Sequence, residues 1–69
     1  MSTKDMINAA LNYLRQNCRL TRNFWSRLIM IRADSELGFV EFVLDCMDVT
    51  VYFKDGKPWR YEVCRCGNS

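Results

Sequence analysis

The chain reads as an α+β domain, with one or two N-terminal helices packed on a three-stranded antiparallel meander. Three observations carry that reading. Apolar residues recur at helical spacing from Ile7 to Cys18, the period changes to two after Gly38, and Asp55-Gly56 marks a tight hairpin. With 69 residues, 49% of them hydrophobic and 26% charged, residues 1–69 are expected to fold as a single domain. A domain this short buries only about 60% of the surface its unfolded chain exposes. A homodimer would therefore add stability.

The first element is a helix over about residues 3–18. Ser2 or Thr3 suits its N-cap, and Asp5 in the first turn complements the positive end of the helix dipole. Ile7, Leu11, Leu14 and Cys18 form one apolar stripe with Ala10 beside it. Residues 21–37 admit two readings. As a helix, Thr21 or Asn23 caps it, Phe24, Leu28 and Ile31 form its stripe, and Gly38 supplies the stop. As a strand, Trp25, Ile29, Ile31 and Ala33 share one side, and Asp34-Ser35-Glu36-Leu37-Gly38 becomes a hairpin loop. The marked ends favour the helix. The strand reading would instead give one helix on four antiparallel strands.

After Gly38, Val40, Phe42, Leu44 and Cys46 alternate with Phe39, Glu41, Val43 and Asp45. A turn near Met47 and Asp48 leads to a second strand, Val49 to Phe53, and a third runs from Pro58 to about Cys64. A two-residue turn at Asp55-Gly56 would set Val51 opposite Arg60 and mix the faces. A three-residue loop, Lys54-Asp55-Gly56 with Gly56 in the left-handed region, sets Val51 against Trp59, Val49 against Tyr61 and Thr50 against Arg60. One face then holds Val49, Val51, Phe53, Trp59, Tyr61 and Val63. The other holds Asp48, Thr50, Tyr52, Arg60 and Glu62.

Charge is sorted along the chain. Arg15, Arg19, Arg22, Arg27 and Arg32 lie between Met6 and Ala33 with no acidic residue, and Asp34, Glu36, Glu41, Asp45 and Asp48 follow with no basic one. With the basic segment on helices and the acidic segment on the sheet, opposite faces would carry opposite potentials. Such a field steers partners. The net charge of +2 is slight for a nucleic-acid-binding domain.

The chemistry-bearing residues are few. There is no histidine, so neither the usual neutral-pH base nor a Ser-His or Cys-His pair exists. No glycine-rich phosphate loop is present, and Glu41 with Asp45 reads as two solvated residues of a strand. The expectation is a protein that is not an enzyme and uses no cofactor. Of the cysteines, Cys18 belongs to the helix stripe, while Cys64-Arg65-Cys66 lacks the second Cys pair or histidines of a zinc site. Cys64 and Cys66 would stand about 6.6 Å apart on one strand with parallel side chains, at the limit of disulfide reach. Four reduced thiols, Cys46 included, and no metal are expected. No run of apolar residues is long enough to span a membrane, and the N-terminus lacks a secretory pattern. The expected location is the cytoplasm.

These readings converge on a small intracellular protein-binding module, a regulator or inhibitor that acts on a larger protein. Such a chain fits an accessory protein encoded by a phage or plasmid. Arg19, Arg22, Trp25, Phe39 and Tyr52 are the expected partner-binding residues, because Arg and aromatics left outside the core are enriched at interface centres. Tyr13, Met30 and Val43 also fall outside the main stripes. The alternative is nucleic-acid binding through Arg15, Arg19, Arg22 and Arg27, with Phe24 and Trp25 stacking on bases. The acidic segment would oppose that alternative unless it lies on the far side.

Overall fold

A computed structural model describes residues 2–18, 26–44 and 47–65. Its elements are α1 (Thr3–Asn17), β1 (Leu28–Asp34), β2 (Phe39–Leu44), β3 (Met47–Lys54) and β4 (Lys57–Arg65). The strands form one four-stranded sheet in chain order, each antiparallel to the next. Among the described residues the α+β fold is thus one long helix on four strands.

Ser2 is the N-cap of α1, its side-chain oxygen accepting the Asp5 backbone N–H at 3.2 Å. The stripe that goes under is centred on Met6, Ala10 and Leu14, all buried, with Ile7 and Leu11 only partly covered at its flank. The sequence reading placed that stripe one position later, on Ile7 and Leu11, because Met6 opens the helix before the apolar pattern is established. Cys18 ends the helix and packs against the core half-buried.

The helix expected within 21–37 is corrected from Leu28 onward, Ser26 alone among its described residues being helical. Leu28 to Asp34 is a strand, with Ile31 opposite Phe42 and Ala33 opposite Val40. β-Branched Ile29 and Ile31 suit an extended chain, and the signals taken for a helix end serve a hairpin. The Asp34 carboxylate accepts the N–H groups of Glu36 and Leu37, both at 2.9 Å, and its carbonyl accepts that of Gly38 at 2.9 Å. Gly38 closes the turn at φ +76°. An Asp and a Gly four residues apart mark a hairpin as well as a helix terminus, since both ends need caps and a positive φ. The proposed caps Thr21 and Asn23 lie outside the described residues, as does Phe24.

Met47 and Asp48, expected in a turn, already belong to β3, opposite Leu44 and Val43. Residues 45 and 46 lie outside the described set. On the helix side, Val40, Phe42 and Leu44 of β2 and Val49 and Val51 of β3 are buried, joining the α1 stripe in one core. A fully covered side chain such as Phe42 stabilises the fold by about 1.5–3 kcal/mol over leaving it in water. No polar or charged residue is buried among the described residues.

Candidate functional site

The β3–β4 hairpin sets up the other face of the sheet. Its turn is two residues, not three: Lys54 pairs with Lys57, and both Asp55 (φ 54°) and Gly56 (φ +76°) sit in the left-handed region. That is the turn whose twist matches the strands it joins. The expected positive φ at Gly56 is present, but the expected pairs of Val51 with Trp59, Val49 with Tyr61 and Thr50 with Arg60 are corrected, and the two faces are kept apart by a different device. Phe53 pairs with Pro58 and Tyr52 with Arg60, so Trp59 is an extra residue, a β-bulge. Val51 therefore meets Tyr61, Val49 meets Val63 and Thr50 meets Glu62.

The bulge changes which face Trp59 occupies. It was expected among the core-side residues. Its ring instead lies 5.7 Å from the Lys54 ammonium and 5.3 Å from the Arg60 guanidinium carbon. Lys54 and Arg60 alternate onto the side away from the helix, so Trp59 stands with them, 54% exposed. Sequence periodicity missed it, because a bulge puts two successive side chains on one face. The only signal was Trp59 following Pro58 next to a tight turn.

Across this outer face the register makes cross-strand rows. Asp34, Phe39, Tyr52 and Arg60 form one, and Arg32, Glu41, Thr50 and Glu62 the next. Val43, Asp48 and Cys64 lie beyond. Phe39 and Tyr52, two of the expected partner-binding residues, are therefore direct neighbours. Arg60 stacks on the Tyr52 ring at 4.4 Å, so its guanidinium lies near both the Tyr52 and Trp59 rings. Glu62 holds the group from below, accepting the Tyr52 hydroxyl at 3.0 Å and facing Arg60 at 3.6 Å. The hydrogen bond to Glu62, then loss of solvent and the Glu62 charge, push the Tyr52 hydroxyl pKa up, with Arg60 opposing. The phenol stays a donor.

Arg19, Arg22 and Trp25, the other expected partner-binding residues, lie outside the described residues, as does the Met30 side chain. Tyr13 is not a free surface group. It packs against the core and meets the Tyr61 ring edge-on at 6.2 Å. Tyr61 in turn donates its hydroxyl to the Asn17 carbonyl at 3.2 Å, tying β4 to the end of α1. The separation of charge along the chain does not become a separation by face. Arg32 is on the sheet and stands 3.8 Å from Glu41. A chain that folds back at residues 35–38 lays its basic and acidic segments side by side.

Between the two hairpin turns lies an open groove of about 350 Å³, floored by Met6 and Phe53 with Leu37, Glu36 and Asp55 around it. Among the described residues no three His, Cys, Asp or Glu side chains come together to hold a metal ion, and no helix is long and apolar enough to cross a membrane. The described cysteines, Cys18 and Cys64, are free thiols. What the outer face offers is contact chemistry: flat rings, a clamped guanidinium and carboxylates of fixed position. No protein-family model matches this chain, and neither a curated protein nor a solved structure matches it.

Proposed function

We propose that this chain is a small non-enzymatic protein-binding module that regulates or inhibits a larger protein in the cytoplasm, docking through the outer face of its sheet. One observation carries the reading: the side of the sheet away from α1 bears Tyr52 and Trp59 around the Arg60 guanidinium, with Phe39 beside Tyr52. Aromatics and Arg are enriched at interface centres, and their rings bury large area at little cost in conformational freedom. The charges on that face favour a protein over a polyanion. Arg32, Lys54, Lys57 and Arg60 are balanced by Asp34, Glu41, Asp48 and Glu62, which would repel phosphates.

Affinity capture from the native host, with and without nuclease, tests this reading when run beside Trp59→Ala and Phe39→Ala. A partner retained after nuclease and lost with either substitution is expected. Nuclease-sensitive capture that is indifferent to both rings would overturn it in favour of nucleic-acid binding.

A further inference from the structure

We infer that β4 pairs with β4 of a second copy, antiparallel about a two-fold axis at Tyr61, joining two sheets edge to edge. The inference rests on the β4 edge and does not require the outer-face reading, although Arg60 and Glu62 serve in both. β4 is nine residues long and ends the sheet, and among the described residues no strand lies on its far side. Glu62 to Arg65 are all exposed, and Val63, on the helix side, is 43% exposed, so α1, which meets β4 at Tyr61, does not cover the strand beyond it. A strand left this way presents a row of unpaired backbone N–H and C=O groups to any extended chain.

Proteins blunt such edges with prolines, bulges and committed charges. On β1, the other edge, the pairing with β2 is interrupted between Leu28 and Met30, Arg32 faces Glu41, and the Asp34 carboxylate holds two turn amides. On β4 the interruptions of the ladder, Pro58 and the Trp59 bulge, are confined to the end near the turn, and Arg60 and Glu62, 3.6 Å apart, still leave 48% and 50% of their side chains exposed to a second partner. Arg60 onward is regular.

Charge selects the register. Pairing about Tyr61 sets Arg60 of each copy against Glu62 of the other, on the same side of the joined sheet, twice by symmetry. Pairing about Glu62 sets that carboxylate against itself, and pairing about Val63 sets it against Cys64. Opposite charges directly across antiparallel strands attract and like charges repel. Pro58 and the bulge end the ladder before Lys57 would meet Arg65.

Sedimentation or light scattering over a concentration series tests the proposal on the intact chain. Wild type should dimerise, and Arg60→Glu or Glu62→Lys alone should weaken the dimer about tenfold or more, since each turns two attractions into two repulsions. The two variants mixed in equal amounts should form a heterodimer at a concentration where each alone is monomeric. In the mixture every cross-strand pair is again of opposite sign, whereas the contacts within each chain stay altered. A mixture that remains monomeric, a dimer insensitive to both reversals, or a wild type monomeric throughout would overturn the proposal. Should either variant fail to fold by circular dichroism, amide exchange on the wild type decides. Slower exchange at Arg60–Val63 with rising concentration supports the pairing, and no change there overturns it.

Discussion

Gly38 and Phe53 meet backbone to backbone where the two hairpin turns come together. The Phe53 N–H donates to the Gly38 carbonyl at 2.8 Å, and a Cβ added to Gly38 would stand 3.3 Å from the Phe53 carbonyl oxygen. Gly38 also holds φ at +76°. Gly56 has the same φ, yet a Cβ there would meet nothing within 4 Å. Gly56→Ala should cost about 1 kcal/mol through left-handed strain alone, and Gly38→Ala more, about 2 kcal/mol, because contact adds to strain. Urea denaturation of the two variants checks the order. Equal losses would mean that Phe53 yields freely.

Asp34 should be the residue on which the first hairpin depends. One carboxylate oxygen accepts both the Glu36 and Leu37 N–H groups. Asp34→Ala removes the acceptor for two amides and should cost about 1–2 kcal/mol, whereas Asp34→Asn, which keeps an oxygen there, should recover most of it. Thermal melts of both variants read the difference.

Alkaline pH should weaken the fold. Tyr52, through its bond to Glu62, and Tyr61, through the negative charge of nearby Cys18, both hold their protons above the usual value near 10. The unfolded chain releases these protons first. Stability is therefore complete below about pH 10 and is lost as the pH rises through the folded-state values. Denaturant midpoints from about pH 8 to about pH 11 should fall, and Tyr52→Phe should flatten the decline. Absorbance of the phenolate follows the titration itself.

The two described thiols should differ in reactivity. Cys64 is exposed on β4, whereas Cys18 is half-buried against the core. Alkylation followed by peptide mapping should find Cys64 modified before Cys18, because the reagent reaches the exposed thiol first. The reverse order would place the end of α1 in motion.

Much of the fold was legible. Ser2, Asp5 and the helical stripe announced α1, and strict alternation announced which residues of β2 and β3 turn inward, since pleating leaves each side chain no choice of face. β1 was obscured because Asp34 and Gly38 perform the same chemistry at a hairpin as at a helix end. The place of Trp59 was not legible at all. A bulge breaks the period on which face assignment relies, and its site depends on fitting a two-residue turn to the pairing of Val51 with Tyr61. Of the candidate residues, Phe39 and Tyr52 were found as outward aromatics, but the guanidinium between Tyr52 and Trp59 needed the register to be seen.

The chain-order meander also sets how the molecule assembles. Every strand pairs with its neighbour in sequence, so the entire sheet is built from local hairpins with short loops to close. Hairpins of this kind form within about 1–10 μs, because a short loop costs little to close. The long-range contact is left to α1, where the Tyr61 hydroxyl donates to the Asn17 carbonyl across 44 residues. Until that helix docks, the inward side of the sheet is bare. In the nascent chain α1 precedes every strand, so the helix must wait for the surface it covers.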